Sequence, residues 1–339
     1  MKAFVDKMIG NFKIFIVAFA CILAICSCNS MREWLEPINI QPQSMISEIN
    51  DSTFFSLILG MHYSDRKFYL SEISNNGFFI LNEDLSLSDF LGGRGRGPGE
   101  FTEIGHIEVS QDSIFVVNGN GVSLFVNKQY VRNIPDISIG NFVNTIGAFH
   151  LNFAYRDGFI YYYPLGENPE IFKLNIHSSN SNLFAVSNIN DKNNKNRGHV
   201  VCDGEHIYAV IQNAPFVEKF SMTGEIIQRF DYSEKLDFMY TFRYIDEFER
   251  HAGNLASLVR DVSYYDNHLY LLLYLRDFSE TLISNVVLVI NTKNESDMKL
   301  LHLDNGGYFS LAAYSDGLFL FDVRKAELKK YSRDSFMLK

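Results

Sequence analysis

The sequence predicts an all-β fold, a six-bladed β-propeller of four-stranded antiparallel blades with a short helical insertion between blades four and five. The leading observation is a repeat. Asp65, Asp112, Asp157, Asp203, Asp266 and Asp316 each stand just ahead of an apolar and aromatic pair: Phe68/Tyr69, Ile114/Phe115, Ile160/Tyr161, Ile207/Tyr208, Leu269/Tyr270 and Leu318/Phe319. The steps between these Asp residues are 47, 45, 46, 63 and 50, the period of a blade repeat. The second observation is the content of each unit. Short runs rich in Val, Ile, Leu, Phe and Tyr alternate with turn residues, enough for four strands of roughly 5–6 residues. The third is that no unit carries a sustained i, i+3, i+4, i+7 apolar stripe. An aromatic content of 14% supplies flat rings to fill the wedges between adjacent sheets. An up-and-down barrel or a β-sandwich is the all-β alternative.

At the N-terminus, residues 1–27 read as an export signal. Lys2, Lys7 and Lys13 make it basic, and residues 14–25 form an apolar run of 12. That is shorter than the about 20 residues a membrane-spanning helix needs. The order Ile25-Cys26-Ser27-Cys28 that follows resembles a bacterial lipobox, with a small residue just before the Cys that takes the lipid. It implies lipidation at Cys28 and a place in the cell envelope. Asn29 is compatible with sorting to the outer membrane, facing the periplasm. An ordinary cleaved signal is the alternative. Residues 28–50 are then a tether and ring-closing segment, in which residues 37–49 should pair with C-terminal strands near 327–338. Residues 51–339 form the propeller. Beside Cys28, cleavage would leave only Cys202, so no intramolecular disulfide is available. A core of this size does not need one.

The fourth unit shows the plan of a blade. It reads RGHVVC, a DGE turn, HIYAVIQ, a turn at 213–215, FVEKFS, an MTG turn and EIIQRF. Asp203-Gly204 and Thr223-Gly224 are hairpin chemistry, because Gly tolerates positive φ and Asp accepts from nearby backbone N–H groups. The long step after Asp203 holds about 16 extra residues. There Phe242, Ile245 and Phe248 recur every third position ahead of Gly253, which predicts the helical insertion. Its aromatics, Phe238, Tyr240, Phe242 and Tyr244, are a candidate contact surface over one face of the disc.

Between units one and two lies LGGRGRGPGEF, residues 91–101, whose glycines and Pro98-Gly99 predict a tight crossover between blades. A strand, an Asp112 turn, a strand, a turn at 118–121 and another strand follow. This span resembles the NHL-type repeat, which joins a G-x-G-x-G-P-G-x-F loop to a D-x-x-I-Y-V hairpin. The whole mature chain is similar to the TolB-like and NHL-like six-bladed propeller lipoproteins of Gram-negative bacteria. The other five crossovers lack the motif, which sets the chain apart from a regular NHL array. The resemblance implies architecture and a tendency toward binding roles, with no settled activity.

The formal charge is −10, and residues 1–27 carry three Lys and one Asp, so the remainder stands at −12. Lacking a basic footprint, the chain is not expected to bind nucleic acid or anionic lipid, and membrane contact is left to the lipid anchor. Arg94, Arg96 and Glu100 are expected at the channel mouth, where crossovers gather. Arg can fork onto a carboxylate or phosphate there, and glycine N–H groups can form an anion nest. The plainer expectation is that both Arg side chains are solvated and the loop is only a turn.

Counting six residues back from each hairpin Asp reaches the channel end of each innermost strand: Leu59, His106, Leu151, Arg197, Arg260 and Ser310, with His150 and His199 adjacent. Three His from consecutive blades are a zinc-ligating set in kind. However, one residue of slip turns a side chain off the axis, and no H-E-x-x-H spacing accompanies them. Polar channel lining is the expectation, and no metal or other cofactor is assigned. Glu108 and Asp261, on the same strands, should be solvated or paired. No G-x-S-x-G elbow or Ser–His–Asp order supports nucleophilic catalysis.

Two functions follow. One is a membrane-anchored binding module for a peptide, glycan or partner protein at the crossover face. The other is an envelope hydrolase or lyase using the central funnel. Carboxylate and His groups within about 4 Å of one point on the axis would favour the enzyme, and an open groove without them the binding module.

Overall fold

The computed structural model describes residues 34–50, 53–135, 152–164, 170–187, 198–236, 258–276 and 282–337, and these form a six-bladed β-propeller. Four short strands come first: β1 (Pro37–Asn39), β2 (Ser44–Ile46), β3 (Glu48–Asn50) and β4 (Thr53–Phe54). Blade one is β5 (Ile58–Ser64), β6 (Lys67–Glu72), β7 (Gly77–Asn82) and β8 (Leu87–Gly92). Blade two is β9 (Ile104–Ser110), β10 (Ser113–Asn118), β11 (Gly121–Val126) and β12 (Gln129–Ile134). Blade three is β13 (Ala154–Arg156), β14 (Phe159–Tyr162), β15 (Glu170–Asn175) and β16 (Ser181–Val186). Blade four is β17 (Gly198–Cys202), β18 (His206–Ile211), β19 (Phe216–Ser221) and β20 (Ile226–Asp231). Blade five is β21 (Val259–Tyr265), β22 (His268–Arg276), β23 (Leu282–Asn291) and β24 (Met298–His302). Blade six has β25 (Tyr308–Tyr314), β26 (Gly317–Asp322) and β27 (Glu327–Ser332). Strands β5, β9, β13, β17, β21 and β25 touch in a closed cycle and so surround the axis.

All six repeated Asp residues fall in the hairpin between the first and second strands of their blades. Three of these hairpins have both central residues at positive φ: Asp65 with Arg66, Asp157 with Gly158, and Asp266 with Asn267. That geometry matches the right-handed twist of the flanking strands. The apolar pair after each turn explains the period. Successive side chains on a strand point to opposite faces, so each pair serves two inter-blade cores at once. Phe68 packs against blade six and Tyr69 against blade two, while Ile114 packs against blade one and Phe115 against blade three. Ile160/Tyr161, Ile207/Tyr208, Leu269/Tyr270 and Leu318/Phe319 continue the alternation until Phe319 meets blade one. All twelve side chains are buried. Each such burial stabilises by about 1.5–3 kcal/mol, so the motif that announces a blade also fastens it to both neighbours.

The N-terminal segment closes the ring as expected, with one addition. Strand β2 pairs antiparallel with β27, completing blade six. Strand β1 pairs in parallel with β24, so blade five has five strands rather than the expected four. Between them Ile40 is buried in the core shared by blades five and six. The outermost strands of the other blades carry a bulge at Ser88, Val131, Phe184 and Ile227, which bends each open edge away from further pairing. Among the described residues the only helix is α1 (Asp334–Met337). The expected helical insertion, with Phe238, Tyr240, Phe242 and Tyr244, lies outside the described residues, as do residues 1–33 with Cys28. No helix among the described residues is long and apolar enough to cross a membrane.

Candidate functional site

Two groups of sequence-selected residues occupy different parts of the propeller. His106, His199 and Arg260 come together around the axis. Arg94, Arg96 and Glu100 lie on the flank of blade two. His150, Leu151 and Arg197 lie outside the described residues.

The inner ring gathers a polar group from every blade. His62 of β5 places Nδ1 at 3.1 Å from Glu108 Oε2 of β9, and His106 Nε2 lies 3.9 Å from the same oxygen. That second distance is too long for a hydrogen bond. Both ring nitrogens of His106 are buried without a hydrogen-bond partner among the described residues. The side-chain oxygen of Asn152, just before β13, lies 3.0 Å from His199 Nδ1 and accepts from it in the Nδ1–H tautomer, and the Asn152 amide donates past blade four to the Val262 carbonyl of β21 at 2.5 Å. Asp261 accepts backbone N–H bonds from Val262 and Leu311, both at 2.8 Å, tying β21 to β25. Ser310 donates to the Ile58 carbonyl at 3.1 Å, tying β25 to β5. Gly60 permits the approach of β5 to β9, since a Cβ there would sit 2.8 Å from the His106 Cα.

Sequence spacing left the register of this ring open, and bulges explain why. The β5 ladder skips Leu59, β21 skips Arg260, β25 skips Phe309, and β9 carries an extra residue at Gly105–His106. A bulge re-aims a side chain that regular alternation would send elsewhere. Two bulged residues meet directly: the Arg260 guanidinium lies 3.4 Å from the centre of the Phe309 ring. His106 meets Phe153 edge-on at 5.4 Å.

Burial sets the charge states here. It pushes the His199 imidazole down to about 3, helped by His106 and Arg260 nearby. Burial likewise holds His106 below the usual histidine range, outweighing the Glu108 carboxylate. Both imidazoles are therefore neutral. Asp261 is pushed up to about 7 by burial, against the pull of its backbone donors. Burial works to raise Glu108 too, but His62 and His106 outweigh it and hold the carboxyl at about 2. Glu108 is thus paired, as one of the two sequence expectations had it. His62 and Asn152 were not singled out from sequence; their only signal was a polar residue inside, or just before, an innermost-strand run. No group of three or more His, Cys, Asp or Glu with metal-binding geometry occurs among the described residues.

The Gly-rich loop does something different from the expected arrangement. Its chain doubles back, Arg94 bridging to Phe101, whose ring is buried against Phe78 and Phe125. Glu100 turns into the loop and accepts the Gly97 N–H at 2.7 Å. A Cβ on Gly95 would lie 1.9 Å from the same carboxylate oxygen, so a larger residue there would displace the Glu100 side chain from the loop. The nest foreseen for an external anion is occupied by the chain's own carboxylate.

Beside the loop lies a pocket of about 530 Å³, bounded by Arg96, Thr102, Asn118, Asn120, Tyr130 and Asn133 among others. Its wall is fixed by an amide network. Asn118 donates to Ser123 Oγ at 2.7 Å and to Asn133 Oδ1 at 3.0 Å, and Asn133 donates to the Asn120 carbonyl at 2.8 Å. Arg96 is exposed at the lip and makes no ion pair among the described residues; Arg94 is exposed and not part of the lining.

No family model matches the chain, and no curated protein does. Its fold is shared by solved structures of very different sequence. A member of the DUF4221 family from Bacteroides vulgatus matches with a TM-score of 0.58 at 9% identity, over 89% of this chain and 99% of that one. A protein of unknown function from Bacteroides thetaiotaomicron matches with a TM-score of 0.55 at 11% identity, over 88% of this chain and 75% of that one. A streptogramin B lyase matches with a TM-score of 0.50 at 12% identity, over 85% of this chain and 97% of that one. At these identities the likeness is one of fold.

Proposed function

We propose that this chain is a binding module of the cell envelope, tethered to the outer membrane through a lipid on Cys28 and recognising a glycan or peptide segment at the blade-two pocket. The observation that carries it is the fixed wall of Asn118, Asn133 and Ser123 facing a pocket of about 530 Å³ with Arg96 at its lip. Pre-positioned amides and hydroxyls recognise a neutral, hydrogen-bonding ligand at little entropic cost, because no side chain must first be ordered. Tyr130 adds an aromatic surface. The lipobox-like order before Cys28 and the GPGEF loop support a place beside the TolB-like and NHL-like propeller lipoproteins.

A thermal-shift screen of oligosaccharides and peptides against protein lacking residues 1–28 tests this reading. Arg96→Ala combined with Asn133→Ala should weaken any hit about tenfold or more, as expected for losing a charged and a neutral hydrogen bond. Arg94→Ala should leave it unchanged. A hit indifferent to the Arg96/Asn133 pair rules this pocket out.

A second reading, a hydrolase or lyase in the central funnel, is favoured by one observation: nitrogens of His62 and His106 lie within 3.9 Å of the Glu108 Oε2 oxygen, and His106 has no hydrogen-bond partner among the described residues. Under that reading, a turnover found with an envelope substrate disappears in Glu108→Gln and survives Arg96→Ala.

A further inference from the structure

The opposite ends of the strands carry a second pocket, about 420 Å³, built from the hairpin turns of blades three, four and five. It shares no residue with the blade-two pocket or the inner ring. Its charge runs against the rest of the molecule. The chain carries −10 overall, yet Arg156, Lys219 and Lys293 line this one cavity.

The acidic side chains there do not cancel them equally. Asp203 is consumed by its own turn: Oδ1 accepts the Glu205 and His206 N–H groups at 2.7 Å, and Oδ2 accepts the Tyr208 hydroxyl at 2.7 Å and faces His206 Nδ1 at 3.0 Å. Arg156 is taken by Asp157 at 3.0 Å. Glu205 is exposed at the rim. Neither Lys219 nor Lys293 is ion-paired among the described residues; Lys219 instead lies 5.7 Å over the Tyr208 ring. Tyr264 stacks on Tyr208 at 5.7 Å and 18°, and Thr292 is fixed through Asn267 at 3.0 Å. The floor of the pocket is therefore rigid, and of the charges in its lining without an ion pair among the described residues two are cationic, Lys219 and Lys293, against the single carboxylate of Glu205 at the rim.

We propose that this far-face pocket binds a small organic oxyanion, a phosphate monoester or a carboxylate, through Lys219 and Lys293. Two ammonium groups act as point charges toward either oxyanion, and Tyr264, held by its stacking on the buried Tyr208, is the aromatic side chain in the lining that can meet the body of the ligand. A second charge from blade five is what a lone surface lysine lacks.

The test is calorimetric titration of the full-length chain with two probes, inorganic phosphate and glucuronate, at low salt. At least one should bind with millimolar affinity, weaken at about 0.5 M salt as a screened charge contact must, and weaken about tenfold or more in Lys219→Gln/Lys293→Gln. Lys219→Arg/Lys293→Arg should retain binding, and Arg96→Ala should not alter it, which separates this site from the blade-two pocket. Phosphate alone binding assigns the phosphate class; glucuronate alone assigns the carboxylate class. Absence of binding by both probes, or equal binding in wild type and the Gln pair, overturns the proposal. Lys293 is exposed, so Lys293→Gln alone keeps the test valid if the double variant is destabilised.

Discussion

Lys329 in blade six and His106 at the axis are both all but sealed from solvent, at 1% and 2% exposure, yet their surroundings are opposite. Lys329 donates to Asp304 and Asp322, each at 2.8 Å, and to the Tyr308 hydroxyl at 3.1 Å. Tyr308 and Tyr331 in turn hydrogen-bond Asp304. Burial works to lower the Lys329 ammonium, but the two carboxylates outweigh it and hold it above the usual lysine range. His106 is neutral and neither ring nitrogen has a hydrogen-bond partner among the described residues. A buried charge whose donors are all matched is part of the scaffold. A buried donor-acceptor left unmatched weakens the scaffold, and is where a ligand or substrate would find a partner.

The strongest break in this comparison comes from Lys329→Met. It strands Asp304 and Asp322 in a site built for a cation, and should cost about 3–5 kcal/mol in chemical denaturation. A loss below about 1 kcal/mol would mean the cluster is not scaffold after all.

Next in size is the pH dependence of the inner ring, where two carboxyls act with opposite sign. Asp261, raised to about 7 in the folded state, favours folding when protonated, so its stabilisation is complete below about pH 4 and is lost as pH rises through 7. Glu108, held at about 2, stabilises above about pH 4.5 and that contribution is lost as pH falls toward 2. Asp261→Asn should therefore remove a decline on the order of 2–4 kcal/mol between about pH 4 and 7. Thermal unfolding across that range reads it as the difference between wild type and variant, since the depressed His199 and His106 add a slope of opposite sign in both proteins. A slope left unchanged by the substitution contradicts the assignment.

The smallest effect sharpens the contrast. Among the described residues His106 makes no hydrogen bond, so His106→Leu should change stability by less than about 1 kcal/mol. A cost as large as that of Lys329→Met would place His106 with the scaffold and leave the inner ring without a residue held for another purpose.

Legibility in the sequence followed the range of the forces involved. The hairpin Asp residues were readable because turn geometry is decided within three or four residues, and all six fell where expected. The pairing of residues near 37–49 with the last blade was readable because a ring needs closure, whereas the parallel pairing of β1 with β24 was not. His106, Arg260 and Ser310 could be found by counting back from the turns. What counting could not supply was their orientation, since the bulges at Arg260 and Phe309 shift the alternation locally. Glu100 shows the same limit: its motif marked a loop, but only the folded backbone shows the carboxylate filling its own nest.

By itself the sequence determined six blades, their turns and the apolar pair that joins each blade to two neighbours, because these rest on short-range turn chemistry and strict alternation along a strand. The tertiary structure alone decided which polar side chains meet. His62, Glu108, Asn152 and Asp261 come from four blades, and among the described residues His106 is left unmatched while Lys329 is fully matched. Such meetings depend on the approach of distant strands and on the desolvation of each group in its final place, and neither is encoded in any local stretch of chain.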